Sequence, residues 1–136
     1  MKKWKENLKG LTSLEYISFE NVPMRESKHG AVIDLDPEVL ENLAAKAVIY
    51  HRIPLRGKEV KFLRKAIGLS LEKFAGQLGL TSGSVFHWEK LEEQRLAPVN
   101  EAAVRAFVAE KLGVKISGKF SLLLGDKIQK IKVKAS

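Results

Sequence analysis

The chain has no cysteine. That excludes disulfides, thiol nucleophiles and zinc sites built on thiolates. No apolar run approaches the roughly 18 residues of a membrane span. The opening MKKWKENLKG is basic, but no apolar stretch follows it, so a secretory signal is not expected and a cytoplasmic location is. Histidines 29, 51 and 87 lie far apart, with no HExxH or comparable spacing, so no metal is expected. There is no GxGxxG, no P-loop and no nucleophile elbow. Nothing points to an enzyme or to a cofactor.

What is present is positive charge, unevenly placed. The net charge is +8 over 136 residues. Residues 1–50 carry seven Lys/Arg against eight Asp/Glu, residues 51–113 eleven against seven, and residues 114–136 six against one. A chain basic over its last two thirds attracts polyanions, nucleic acid first; the plainer alternative is solubility alone. An apolar fraction of 45% is enough for one core, and the length fits one domain with an extension or two small modules.

Patterning divides the chain into a leader (1–51), a helical region (52–113) and a basic tail (114–136). Trp4, Leu8 and Leu11 have helical spacing within residues 1–14. Tyr16, Ile17 and Phe19 suggest a short strand, PMRESKHG a turn, and AVIDL a second strand. Asp36-Pro37 is a strong helix start, Asp as cap and Pro at the first position, and the apolar spacing carries that helix to about Tyr50. HRIPLRGK reads as a linker. Four helical stripes follow: Val60, Leu63, Ala66 and Ile67; Leu71, Phe74, Ala75 and Leu78; Val85, Trp88 and Leu91; and Val99, Ala103, Phe107 and Leu112, closed by Gly113. In the tail, IQKIKVK alternates, and Gly125-Asp126 suggests a turn between two strands.

The second and third helical stripes enclose LSLEKFAGQLGLTSGSVFHWE. Ser70 and Thr81 are placed to cap two helices, Ala75 is small enough for close packing, and Gly79 stands where the first helix must turn. Val85 and Trp88 point inward. Ser82, Gly83, Phe86, His87 and Lys90 are left on or near the outer face.

These residues, from Gly68 to Glu89, resemble the helix-turn-helix of the Cro and lambda-repressor-like (XRE) family. RGKEVKFLRKAIGLS before them is similar to antitoxin-type regulators of the MqsA and HigA kind. The resemblance covers residues 52–113. It implies a mainly α fold, a lambda-repressor-like bundle, with the short strands of leader and tail as additions. Some of those regulators hold zinc in a cysteine leader, which cannot carry over here. The resemblance also implies a buried ion pair between Arg64 and Glu89, architectural because desolvation offsets much of its attraction.

The implied function is a DNA-binding repressor, a homodimer on a two-fold operator with one helix of each protomer in the major groove. The DNA-facing set is Thr81, Ser82, Gly83, Ser84, Phe86, His87 and Lys90, with Lys73 and Arg95 on phosphates. Lys58, Lys61 and Lys65 are further phosphate candidates. Departures from the family pattern weaken base reading. Leu71 stands where Gln is common, and Ser82 and Gly83 stand where long polar side chains read base edges. Phe86 meets thymine methyls, or belongs to the core or a dimer interface. The alternative function is an antitoxin-like module that binds a toxin-like protein through leader residues such as Trp4, Tyr16 and Phe19.

Overall fold

The computed structural model describes residues 1–136. In chain order the elements are β1 (Lys3–Lys9), β2 (Ile17–Ser27), β3 (Gly30–Ile33), α1 (Pro37–Tyr50), α2 (Gly57–Ala66), α3 (Leu71–Gln77), α4 (Ser82–Lys90), α5 (Pro98–Leu112), α6 (Phe120–Leu123) and β4 (Ile131–Lys134). The expectation of a mainly α fold is overturned. The protein is mixed α/β, 43% helix and 21% strand, with a four-stranded mixed sheet beside six helices. The error lies at the two ends of the chain, where strands were expected to be minor.

β1 replaces the helix expected over residues 1–14. Trp4 and Leu8 are four apart, a spacing that a period of 3.6 and a period of 2 both satisfy. On β1 they pair with Met24 and Phe19 of β2. β2 is also longer than expected, running through the PMRES read as a turn. Pro23 is tolerated because its carbonyl accepts from Asp34 N at 2.8 Å. Its nitrogen therefore faces the same edge, in the gap between the stretches of β2 paired to β4 and to β3, and no bond to β1 is lost.

A bulge sets the facing of β2. Two steps of β1, from Glu6 to Leu8, span three of β2, from Val22 back to Phe19. Asn21 takes φ 55° there, and its N–H donates to Asn7 Oδ1 at 3.1 Å. The extra residue changes parity, so Ile17 and Phe19 on one side and Val22 and Met24 on the other all point inward.

The tail does not form a hairpin. Its 119–125 segment is pinned by guanidinium groups, and β4 then joins β2 in parallel, Ile17 opposite Ile131. Arg52 donates to the carbonyls of Ser121 and Leu124, and Arg105 to those of Leu123 and Ile53. Gly125 is needed for close approach: a β-carbon there would lie 2.5 Å from the Pro54 backbone.

One core of 26 buried apolar residues joins the inner sheet face to the helices. It draws on leader, helical region and tail: Phe19, Val48, Leu63, Phe74, Val108 and Val133 all belong to it. α1 starts as expected, with Asp36 Oδ1 accepting from Glu38 N at 2.9 Å. α5 buries the expected stripe only in its second half, where Leu112 is buried and Phe107 packs on the core. Val99 is 70% exposed and Ala103 is exposed, while Ala102, Val104, Val108 and Ala109 are inward together with Glu101 and Arg105. A stripe read from apolar residues alone cannot include two charges that neutralise and hydrogen-bond within the core. No helix is long and apolar enough to cross a membrane.

Candidate nucleic-acid interface

Two helices and a four-residue turn, Leu78 to Thr81, build the candidate site. Ser70 Oγ accepts from Lys73 N at 3.2 Å and caps α3. Gly79 takes φ +72°, where a side chain would be strained, and Leu80 N returns to Ala75 O at 2.8 Å. Thr81 Oγ1 accepts from Ser84 N at 3.2 Å and caps α4, leaving the turn between two fixed ends.

The rear of α4 is held from three directions. Val85 is fully buried beside Phe74 and Ala75 in the core. Glu89 accepts from Arg64 Nε at 2.7 Å and from the second guanidinium nitrogen at 2.9 Å, a two-pronged buried pair. Arg64 also donates to Leu69 O at 2.9 Å, tying α2 to the approach to α3. The Glu89 carboxylate holds the Arg64 guanidinium above its ordinary range. Third, the start of α2 lies against the end of α4. A β-carbon at Gly57 would overlap the Trp88 carbonyl and sit 2.7 Å from that of Leu91. Gly57, read as part of a linker, is therefore a contact residue; its position just before the first helical stripe was the available signal.

The front of α4 is open. Gly83, Ser84, Phe86, His87 and Lys90 are exposed and Ser82 is half-buried; Phe86 is 56% exposed, which removes it from the core. Gly83 has an ordinary helical backbone, and a β-carbon there would meet only Thr81 Oγ1, at 3.9 Å. The fold itself does not require glycine at that position. Lys73 is exposed on the first turn of α3.

Arg95 has a different employment from the one expected. Its guanidinium grips Glu101 through two bonds of 2.9 Å and donates to Gly125 O at 3.0 Å. Lys58 is likewise engaged, with Glu93 at 2.7 Å and Glu15 at 3.3 Å.

Two buried carboxylates went unrecognised in the sequence. Glu59 accepts from Arg56 and from Tyr16 Oη, the latter at 3.0 Å. Burial first, and then the Glu59 charge, push the Tyr16 hydroxyl well above its usual range. Glu101 accepts from Leu55 N at 2.8 Å and Gly125 N at 2.6 Å besides Arg95. Burial pushes its carboxyl up, but Arg95 and the two N–H groups outweigh that and hold it below the ordinary value. Burial lowers Arg105 to about 10 despite the opposing pull of Glu101. We read these groups as architectural, because Glu59, Glu101 and Arg105 each bond backbone groups of other residues, although one terminal nitrogen of Arg105 is buried without a partner. No group of three or more His, Asp or Glu is placed to hold a metal ion.

Of the leader residues assigned to a protein partner, two are buried and one is half-buried. Phe19 is 1% and Tyr16 8% exposed, and Trp4 packs half-buried on the core. In comparison with known proteins, no family model, no curated protein and no solved structure matches the chain.

Proposed function

We propose that the chain is a sequence-specific DNA-binding transcriptional regulator of the Cro and lambda-repressor-like kind. It acts as a repressor, in the cytoplasm, as a homodimer on a two-fold operator, and it has no catalytic activity. One observation carries this reading. α4 is fixed from behind by Val85, Glu89 and the α2 contact, while Gly83, Phe86, His87 and Lys90 stand free in front. A short helix so firmly held, with a large aromatic ring left in water, suits insertion into a groove more than support of a core.

The chemistry of that face sets the expected mode. Phe86 lies against thymine methyls, and His87 donates to a base edge or phosphate. Gly83 lets the backbone of the first turn approach a phosphate, for which its open front leaves room. Lys73 and Lys90 contact phosphates and set register. With Ser82 half-buried and no side chain at Gly83, direct base reading is weak and phosphate contacts dominate affinity. Arg95 leaves the contact set, because its guanidinium holds Glu101.

Selection from a random duplex library tests the reading. Enrichment of a motif with two-fold symmetry is expected, and the Phe86→Ala/His87→Ala variant should bind the winner roughly tenfold more weakly. Enrichment of no sequence would defeat it. The antitoxin-like alternative loses Tyr16 and Phe19 as contact residues, and no other observation favours it over DNA binding.

A further inference from the structure

The sheet has two faces of opposite character. Ile17, Phe19, Val22 and Met24 of β2, with Ile131 and Val133 of β4, turn into the core. The register fixes what points the other way. Lys3 and Lys5 stand opposite Arg25 and Pro23, and Lys9, Ser18 and Lys132 form one row across three strands. Glu20 and Lys134 follow in the next row. Asp34 bonds Lys3 and Arg25, each at 3.5 Å, and so lies on this face too. No element covers it: the five lysines are exposed, and Ser18, Glu20, Pro23 and Arg25 are half-buried.

The charge balance is one-sided. Lys3, Lys5, Lys9, Arg25, Lys132 and Lys134 meet two carboxylates, Asp34 and Glu20. Setting Asp34 against one of Lys3 and Arg25, and Glu20 against Lys134, its partner in register, leaves four positive charges. Lys5, Lys9, Lys132 and Lys134 take part in none of the ion pairs of the fold. Glu6 and Glu26 belong to the same strands but have the opposite parity, that of Val22 and Met24. An open sheet face is ordinarily polar, but a merely solvated one carries both signs.

What the face lacks selects its partner. No aromatic ring points from it, so single-stranded bases have nothing to stack on. Its apolar members, Pro23 and Val32, are both half-buried. It therefore offers neither the apolar centre of a protein interface nor the apolar side by which an amphipathic surface enters a membrane. What remains is a rigid array of ammonium groups. Its two ends, around Ser18 and Arg25, lie roughly 20 Å apart along β2, the length of about six base pairs. We propose that this face is a second duplex-binding surface, which holds the phosphate backbone of double-helical nucleic acid without regard to sequence. It shares no residue with the front of α4, and the core that buries Val85 behind α4 also lies behind the sheet. Its binding is independent of whether α4 reads DNA.

Titration of the full chain with a labelled random-sequence duplex of about 20 base pairs, over about 50–200 mM salt, tests it. About four neutralised phosphates contribute roughly −3.6 to the slope of log affinity against log salt. Lys5→Gln/Lys9→Gln/Lys132→Gln/Lys134→Gln should flatten the slope by about 3 and weaken binding at the lower salt by roughly tenfold or more. Arginine at the same four positions should preserve both. A control with the same loss of charge, Lys46→Gln/Lys111→Gln/Lys115→Gln/Lys119→Gln, should change affinity by less than about threefold. Phe86→Ala/His87→Ala should do likewise, which separates this surface from α4. All the substituted residues are exposed, so thermal melting should match the unsubstituted chain. An unchanged slope in the sheet variant, an equal loss in the control, or binding to phosphatidylserine vesicles with none to the duplex would each overturn the proposal.

Discussion

Replacing Glu101 by Gln removes one charge and keeps the shape. The carboxylate accepts four bonds: Leu55 N and Arg95 Nε reach one oxygen, Gly125 N and a terminal Arg95 nitrogen the other. A carboxamide keeps one oxygen. Its NH2 must then face two donors, so a backbone N–H and part of a guanidinium lose their acceptor. Breaking a buried pair by altering one partner costs about 3–5 kcal/mol. Arg95 is half-exposed and water repairs its side, so the lower half of that range is expected. For a chain of this length about 4 °C of melting temperature goes with each kcal/mol, so a loss of roughly 12–16 °C follows. Circular dichroism melts at pH 7 measure it.

The same substitution has a pH signature. A carboxyl held below its ordinary value, here 4.5, contributes stability that is fully present above that value. The contribution is lost as pH falls through the lowered folded value. The gap between native chain and variant should therefore be constant near neutrality and shrink below about pH 4. A loss under about 1 kcal/mol at pH 7, or a gap independent of pH down to 2, would refute the assignment of Glu101 as a charged hub.

Other substitutions test the remaining packing arguments. Gly83→Ala should raise stability by about 0.5–1 kcal/mol, because alanine is the better helix former and the space is open, whereas Gly57→Ala should cost about 2 kcal/mol or more through overlap with the α4 carbonyls; urea unfolding of both compares signs. Glu89→Gln should cost about 3 kcal/mol by leaving Arg64 unpaired, and Arg64→Met/Glu89→Leu should recover most of it; a double-mutant cycle by chemical denaturation checks this. Asn21→Gly should be neutral or mildly stabilising at φ 55°, and Asn21→Val should destabilise by about 1–2 kcal/mol; thermal melts distinguish them.

The helices were legible where their ends carried chemistry. Asp36-Pro37, Ser70, Thr81 and Gly113 mark boundaries because each satisfies a definite backbone need, a cap or a left-handed turn. The sheet was hidden for equally definite reasons. Trp4 and Leu8 fit both periodicities, and β2 hides its length behind Pro23 and a parity change at Asn21. β4 pairs Ile131 with Ile17 at the far end of the chain, which no local pattern can announce. On the site, the outer face of α4 followed from the inward spacing of Val85 and Trp88. The partners of Arg95, Glu101 and Gly125 O, were not legible, since they meet only in the folded chain. The inward turn of Glu101 and Arg105 escaped for the same reason.

The central claim is that α4 reads DNA. Fluorescence anisotropy with labelled duplex from the region upstream of the coding sequence, against a scrambled duplex, tests it most directly at about 50 and 200 mM salt. The account predicts steep salt dependence, with a preference for the upstream duplex of roughly tenfold or more surviving at the higher salt. Equal weak binding to both, vanishing at the higher salt, would contradict it and leave only a basic surface.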